Sequence, residues 1–225
     1  MNKHKFYVVG TPIGNMEDIT YRAVRILGEV DLVLCEDTRV TVNLLNKYGI
    51  KKPTLSYHSQ SKLSKTEQIL KLIGGGKTLA LVSDAGTPTI SDPGSVLVAK
   101  IKEVFPDTEI ISIPGASALI SALSISGLNT AEFTFLGFLP HKKGRETLFK
   151  EIANSERTMV FYESPHRILK ALESFIKFAP EKKVVIAREL TKVFEQIISG
   201  SPTEVSQYFT DNPDKVRGEF VVIVS

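Results

Sequence analysis

The sequence contains a single cysteine, Cys35, among its 225 residues. One cysteine cannot form an internal disulfide, so nothing in the chain indicates an oxidising compartment. Cys35 closes an apolar run that begins at Leu32. Because free cysteine is among the most buried residue types, we predict that it is a core residue.

Long apolar segments are also lacking. No stretch approaches the roughly 20 residues that a membrane-spanning helix needs, and the apolar run near the N-terminus is too short for a signal peptide. We therefore expect a cytoplasmic protein without a membrane partner. The formal net charge is only +3, so charge alone does not indicate nucleic-acid binding. Any basic surface must come from clustering in the fold.

Several well-known catalytic motifs are missing. There is no C-x-x-C or H-E-x-x-H pattern, and the four histidines are scattered, so we expect no metal site. The serine-hydrolase motif G-x-S-x-G is absent. The dinucleotide-binding spacing G-x-G-x-x-G and the Walker loop are absent as well.

What the chain does have is an alternation of strand-like and helical patterns. In the first half, we predict strands at 6–9, 32–35, 78–82 and 109–113, with helices at 19–30, 40–48, 64–74 and 96–104. Residues 64–67 have the form of a capping box, which would place the start of the third helix at Ser64. This alternation predicts a largely parallel sheet flanked by helices.

The second half has a different texture. We predict strands at 133–138, 158–162, 184–187, 194–198 and 220–224, with helices at 117–126, 146–153, 168–178 and 203–209. The strand at 194–198 follows its predecessor almost without a gap, so this pair should be antiparallel. We place a domain boundary near Pro114, giving two α/β domains, 1–114 and 115–225, with a ligand cleft expected between them.

Unusual residues follow the predicted strands of the first half. Glycines in the turn 10–15 allow a backbone to approach a ligand closely, although taken alone such a turn is more often a plain turn. The charged segment 35–39 suits the ligand crevice of an open α/β sheet or a simple helix cap. The loop 83–94 is longer than a connector needs, which favours a binding surface. The small residues at 113–118 could seat an anion or permit close helix packing.

Ionisable groups also follow strands of the second half. Segments 161–167 and 188–192 combine carboxylates with arginine and lysine, which could hold phosphates or simply form salt bridges. Tyr162 could stack on a base. Residues 141–145 form a short basic loop, which is either a solvated turn or an RNA backbone contact.

Nine short motifs in one order resemble a known family. They are GTPIGN (10–15), CEDTR (35–39), SDAGTP (83–88), SDPG (91–94), PGASA (114–118), GFLP (137–140), FYESPHR (161–167), RELTK (188–192) and GE (218–219). Together they resemble the ribosomal RNA small subunit methyltransferase I family of the tetrapyrrole methylase superfamily. Many members continue past the last predicted strand into a small helical extension, whereas this sequence ends at Ser225.

The resemblance implies a tetrapyrrole-methylase-like fold, usually as a homodimer, that binds S-adenosylmethionine between its domains. It also implies methyl transfer to the ribose 2′-hydroxyl of a cytidine in the decoding region of small-subunit (16S) ribosomal RNA. The implied cofactor residues are Gly10, Pro12, Gly14, Asp84, Gly86, Thr87, Ile90, Ser117, Ala118 and Tyr162. The implied catalytic candidates are Asp37, Glu163, His166 and Glu189, and the implied RNA-binding candidates are Arg39, Arg167, Arg188 and Lys192.

A ribose hydroxyl is a weak nucleophile, so one of the four catalytic candidates is expected to act as a base. Two other functions stay open at this point. A methyltransferase for a small tetrapyrrole would need a deep apolar pocket, whereas an RNA enzyme would need a broad basic rim. A non-catalytic module would not be stabilised by S-adenosylmethionine.

Overall fold

The computed structural model describes residues 4–58, 63–92 and 94–225. They fall into two compact units that divide after Ser117. Each unit contains a five-stranded sheet and helices, which confirms the predicted α/β class. Cys35 is buried, as predicted.

The first unit is a parallel sheet with the strand order β3-β2-β4-β1-β5. Its strands are β1 (Lys5–Val9), β2 (Leu32–Cys35), β3 (Thr54–Ser56), β4 (Leu79–Leu81) and β5 (Glu109–Ile113). Its helices are α1 (Tyr21–Glu29), α2 (Thr38–Lys47), α3 (Leu63–Gly74) and α4 (Gly94–Val104), and a 3-10 turn spans Met16–Asp18. Strands β4, β1 and β5 are neighbours, so their carboxyl ends lie side by side.

Both faces of this sheet are covered, which explains its near-continuous apolar strands. Side chains of α1 and α2, including Leu27 and Leu45, pack with Val9 on one face. Side chains of α3 and α4, including Ile73, pack with Phe6 on the other. The sheet core is therefore dry, and polar chemistry is confined to the loops at its ends.

The second unit has a mixed sheet with the order β6-β7-β10-β8-β9. Its strands are β6 (Phe133–Phe138), β7 (Thr158–Glu163), β8 (Val184–Arg188), β9 (Gln196–Gly200) and β10 (Phe220–Val224). Its helices are α5 (Ala118–Ile125), α6 (Arg145–Asn154), α7 (Ile168–Phe178) and α8 (Pro202–Asp211), and a 3-10 turn spans Pro213–Lys215. Strands β8 and β9 are antiparallel, as predicted.

One face of the mixed sheet carries the main core of this unit. Helices α6, α7 and α8 pack there through residues such as Phe149, Phe175 and Phe209. Strand β10 is antiparallel to both β7 and β8, and its residue Phe220 is level with Glu163 on one side and Arg188 on the other. The carboxyl ends of β7 and β8 therefore lie at the same end of the sheet.

Three local predictions were inaccurate. The short edge strand β3 was not predicted, because its three half-buried residues carry no alternating apolar pattern. Strand β9 begins two residues later than predicted, since a turn occupies Val193 and Phe194. Helix α3 begins at Leu63, so Ser64 is inside it and is not the predicted cap; residues 59–62 and Pro93 lie outside the described residues. A capping box joins Ser201 and Glu204 at the start of α8.

Within the described part of the chain, no helix has the length and apolar character that crossing a membrane requires.

Candidate functional site

Three turns of the first unit meet at the carboxyl ends of β4, β1 and β5. The backbone of Thr11, after β1, exchanges two hydrogen bonds with that of Gly86, after β4, at 2.9 and 3.1 Å. The amide of Gly10 donates to the carbonyl of Ile113 at 3.0 Å, and the Thr87 hydroxyl donates to the carbonyl of Ala116 at 3.3 Å. The glycine-rich turns that the sequence singles out therefore form one junction.

The closest approach in this junction is between Gly10 and Gly115. A Cβ built on Gly10 would be 2.8 Å from the Cα of Gly115, and a Cβ on Gly115 would be 2.9 Å from the carbonyl carbon of Gly10. Side chains at either position would push the two turns apart. Buried Thr11 also links the turn after β1 to the loop after β4, because its hydroxyl donates to the carbonyl of Ser83 at 3.1 Å.

A cavity of about 190 Å³ opens beside the junction. Its walls come from the turn after β1, the loop after β4 and helix α2, and include Pro12, Gly14, Asp84 and Leu44. Ligand sites for whole drug-sized molecules have volumes of about 300–1,000 Å³. This cavity can therefore hold part of a nucleoside-sized ligand within the first unit.

Carboxylates concentrate at the ends of β2 and β4. The backbone amide of Asp37 donates to Asp84 at 3.0 Å, which joins the two strand ends. Burial raises the pKa of the half-buried Glu36 carboxyl, and the charges of Asp84 and Asp92 raise it further. The described residues contain no group of three or more potential metal ligands. The carboxylates at the ends of β2 and β4 therefore create a negative electrostatic potential there.

Asp37 caps helix α2, and Arg39 holds it in its charged form. The carboxylate accepts from the backbone amide of Arg39 at 2.8 Å and from its guanidinium. These bonds from Arg39, the guanidinium contributing most, lower the pKa of Asp37 to about 2. The carboxylate is therefore ionised at neutral pH and is a weak proton acceptor.

In the second unit, one buried carboxylate joins two arginines. The side chain of Glu163, at the end of β7, is fully buried. It accepts a hydrogen bond from Arg145 at 3.2 Å and forms an ion pair with Arg167 at 2.7 Å. The guanidinium of Arg145 also donates to the carbonyl of Pro140 at 3.2 Å, and that of Arg167 donates to the carbonyl of Leu139 at 2.9 Å. This cluster fixes the segment that follows β6.

A second charged cluster surrounds the end of β8. Arg188 is buried and donates to the backbone carbonyls of Arg217 and Phe194 at 2.8 and 3.1 Å. Glu189 accepts from Lys192 at 3.0 Å and from the amide of Glu219 at 2.9 Å. Burial raises the pKa of Glu189, but these two hydrogen bonds outweigh that effect and leave it lowered. These groups have partners that stabilise the turn after β8.

Tyr162 packs rather than projects freely. Its ring makes an edge contact with that of Phe135, with the ring centroids 5.0 Å apart, and a tilted contact with that of Phe138, with the centroids 5.5 Å apart. Burial raises the pKa of Tyr162, and a hydrogen bond from the amide of Leu119 partly opposes this. The tyrosine thus ties strand β7 to the start of α5.

Comparisons with known proteins agree with this architecture. The family model described as "Tetrapyrrole (Corrin/Porphyrin) Methylases" matches residues 5–206. A Thermotoga maritima protein named ribosomal RNA small subunit methyltransferase I is 45% identical, covering 98% of both chains. A Synechocystis protein of the same name is 46% identical over 97% of this chain and 78% of its own length.

The chain belongs to the ribosomal RNA small subunit methyltransferase I family. A solved structure of uroporphyrin-III C-methyltransferase from Thermus thermophilus, complexed with S-adenosyl homocysteine, shares the fold with a TM-score of 0.65 at 16% identity. That likeness covers 99% of this chain and 97% of the other.

In this family member, the predicted site residues fall into separate groups. The first unit brings together Gly10, Pro12, Gly14, Asp84, Gly86 and Thr87 through the three-turn junction and its cavity. Ile90 is exposed on the loop after β4, and Ser117 follows the turn after β5. In the second unit, Ala118 begins α5 and Tyr162 contacts that helix.

The charged candidates differ in their accessibility. His166 and Arg39 are exposed, whereas Glu163 and Arg188 are buried and Arg167 is nearly so. Glu36 and Arg145 were not singled out by sequence reasoning. Glu36 is part of the CEDTR motif, but neighbouring Asp37 drew the assignment; Arg145 looked like one member of a basic loop, and its distant partner Glu163 is 18 residues away.

Replacing Gly10 by alanine tests the junction. The new Cβ would be forced against Gly115, so we expect the free energy of unfolding to fall by about 1–3 kcal/mol, as for other overpacked sites. Urea titration of both proteins measures the change. The control is Gly28→Ala at an exposed position of helix α1, where a Cβ meets nothing within 4 Å and stability should hold or rise slightly. Equal effects at the two glycines would contradict the close contact.

Replacing Arg39 by alanine tests the ionisation of Asp37. Because the guanidinium is the main cause of the pKa of about 2, its removal should raise that pKa toward the ordinary value of about 3.9. Because the pKa of Asp37 is lower in the folded than in the unfolded chain, its ionisation stabilises the fold at pH values above the unfolded-state pKa. This stabilisation is lost as the pH falls toward about 2. Carboxyl-carbon NMR of the two proteins between those limits measures both titrations, and coincident curves would contradict the assignment.

Replacing Glu163 by glutamine tests the buried cluster. Two nearly buried guanidiniums would lose their shared anion, so the free energy of unfolding should fall by roughly 3–5 kcal/mol. The matched control is Glu132→Gln, whose partner Arg157 is 65% exposed, and a loss below about 1 kcal/mol is expected there. Chemical denaturation compares them. A loss at Glu163 no larger than that at Glu132 would refute a structural role for this ion cluster.

Proposed function

We propose that this chain is an S-adenosylmethionine-dependent methyltransferase that acts on ribosomal RNA of the small subunit. The observation that carries the proposal is the junction of the three turns after β4, β1 and β5. Ligands of open α/β sheets bind outside the carboxyl ends of the strands, and this end of the sheet has both a close backbone approach and a cavity. The names of the full-length relatives support the reaction and the substrate class.

The residues of the junction fit the cofactor. Gly10 and Gly115 let the turns after β1 and β5 pack against each other beside the cavity, which a side chain at either position would prevent. The exposed carboxylate of Asp84, beside Asp37 and Glu36, supplies negative potential, which suits a ligand with a cationic sulfonium. We assign Pro12, Gly14 and Asp84, with the backbone around Gly86 and Thr87, to its binding. Ile90, Ser117, Ala118 and Tyr162 remain proposed contacts on the family resemblance.

The finer assignment is methyl transfer to the ribose 2′-hydroxyl of a cytidine in the decoding region of 16S RNA. When bound, S-adenosylmethionine supplies an electrophilic methyl group. The protein must hold the hydroxyl in line with that group at about 3–3.5 Å, and such positioning alone removes much of the barrier. The family resemblance supports this target, and a proton acceptor is needed near the hydroxyl.

Among the four base candidates, His166 is the best placed chemically. Asp37 is held ionised by Arg39, Glu163 is paired with two arginines, and Glu189 is bonded to Lys192 and Glu219. His166 is exposed at the end of the segment after β7, and imidazole is the commonest proton acceptor in enzymes. We therefore propose that His166 accepts the proton of the ribose hydroxyl.

The test is transfer of a labelled methyl group to small subunits that lack the modification. We expect label on the ribose of one cytidine, and His166→Asn should lower kcat by about 10²-fold with little change in cofactor affinity. A cofactor-dependent thermal shift shows that the protein used is competent. Failure of a cofactor-binding wild type to label RNA would contradict the proposal, and transfer to a tetrapyrrole instead would support the alternative substrate class.

We also propose, from the family resemblance, that the protein acts as a homodimer in the cytoplasm. Exposed Val193 and Phe194, on the turn before β9, offer apolar contact area to a second copy. Sedimentation velocity on the preparation used for the transfer assay should give the mass of a dimer, and a monomer would contradict this part.

A further inference from the structure

A short loop between β6 and α6 concentrates exposed positive charge. Because Arg145 begins α6, the basic loop in the structure is residues 140–144. It contains His141, Lys142 and Lys143 in succession, and all three are exposed. None of the three forms an ion pair with any residue that the structure describes. The nearest acid along the chain, Glu146, is paired with Lys150 at 2.9 Å. The charge of the loop is therefore not neutralised by an ion pair within the described part of the chain.

The Glu163 cluster lies directly beneath this loop and has its own surplus of positive charge. Arg145 and Arg167 share one carboxylate, and their side chains are only 15% and 14% exposed. One of the two positive charges is therefore left without a formal counter-charge in a poorly solvated place. A nearby anion would be attracted more strongly here than by a fully exposed lysine pair.

The same cluster shapes the loop. Arg145 donates to the carbonyl of Pro140, and Arg167 donates to the carbonyl of Leu139 at the end of the preceding segment. At its far side, the loop is closed by a hydrogen bond from the amide of Arg145 to the carbonyl of Lys142 at 3.2 Å. Both ends are thus held in place before any partner arrives, which reduces the entropy lost on binding.

We propose that the basic loop binds the phosphate backbone of the RNA substrate, and that Arg145, Glu163 and Arg167 are positioning residues for it. This inference rests on the proposed function, because that function supplies the polyanion. Contacts between exposed cations and phosphates supply most of the sequence-independent affinity for a nucleic acid, so a run of exposed cations suits a polyanionic backbone. The family resemblance implies that Arg167 contacts the RNA directly. In this proposal it instead holds in place the loop that makes the contact.

The direct test is the double variant Lys142→Ala/Lys143→Ala. Binding of a fluorescent 16S decoding-region fragment is measured by anisotropy over a range of salt concentrations. Losing two phosphate contacts should make the negative slope of log K against log salt shallower by about 1.4. It should also weaken binding by about tenfold at low salt. Binding of S-adenosylhomocysteine, measured by calorimetry, should be unchanged.

The matched control is Arg157→Ala/Lys183→Ala. It also removes two exposed positive charges from the second unit. These residues directly precede β7 and β8, so they lie at the opposite end of the sheet from Glu163 and Arg188. RNA affinity and its salt slope should stay close to wild type. An equal loss in this control would show a general charge effect and overturn the assignment to the loop.

The positioning role is tested by Arg145→Lys, which keeps the charge but cannot bridge Glu163 and Pro140 in the same way. The KM for RNA should rise severalfold, while kcat and cofactor affinity stay near wild type. Arg157→Lys serves as its control. An Arg145→Lys protein that loses stability but retains the wild-type KM would overturn the positioning role.

Failure of this inference is distinguishable from failure of the proposed function. If the wild type methylates ribosomal RNA but the double lysine variant binds the fragment with unchanged affinity and slope, the loop assignment is wrong and the function stands. If the variant loses activity only on intact subunits and not affinity for naked RNA, the loop docks on protein and the inference is also wrong. If the wild type binds RNA through the loop but transfers no methyl group, the inference stands and the proposed reaction fails.

Discussion

The contact between Gly10 and Gly115 is the constraint on which the first unit depends. Parallel pairing places the ends of β4, β1 and β5 side by side, but pairing alone does not bring the following turns together. The absence of side chains at these two glycines allows the turns after β1 and β5 to touch. The paired backbone hydrogen bonds between Thr11 and Gly86 connect the turn after β4 to them. Backbone groups then line the end of the sheet, next to a cavity and a group of carboxylates.

In the second unit, the end of the sheet contains a buried carboxylate, that of Glu163. Burying Glu163 is costly unless its charge is matched, and two arginines over-match it. The same guanidiniums also bind the carbonyls of Leu139 and Pro140. Glu163, a catalytic candidate by sequence, therefore also helps to hold the segment after β6. The basic loop that we propose as the RNA-binding surface lies in that segment.

Sequence patterns predicted most elements of the fold because both sheets have strongly apolar strands. Bounds such as Leu32–Cys35 and Ile168–Phe178 were predicted to the residue. The edge strand Thr54–Ser56 was missed because its stability comes from pairing with β2 rather than from its own residues. That the glycine-rich turns lie at one end of the sheet was predictable, since turns after parallel strands share that end. Their direct contact depends on the two glycines, Gly10 and Gly115.

The roles of charged residues were less predictable. Sequence shows that Glu163, Arg167 and Arg145 are ionisable, but pairing across 18 residues is set by the fold. Burial of Arg188 and its bonds to backbone carbonyls likewise depend on long-range packing. The helix cap of Asp37 is the exception, because a cap is local and was weighed among the sequence alternatives. The ion pair between Asp37 and Arg39 is equally local but was not predicted.

The central claim is that the three-turn junction of the first unit holds the methyl donor. Amide hydrogen exchange with and without S-adenosylhomocysteine tests it most directly. The account predicts slower exchange in residues 10–14, 84–88 and 115–117, with unchanged exchange in β9 (Gln196–Gly200). Saturating ligand that leaves exchange in those three turns unaltered would contradict it.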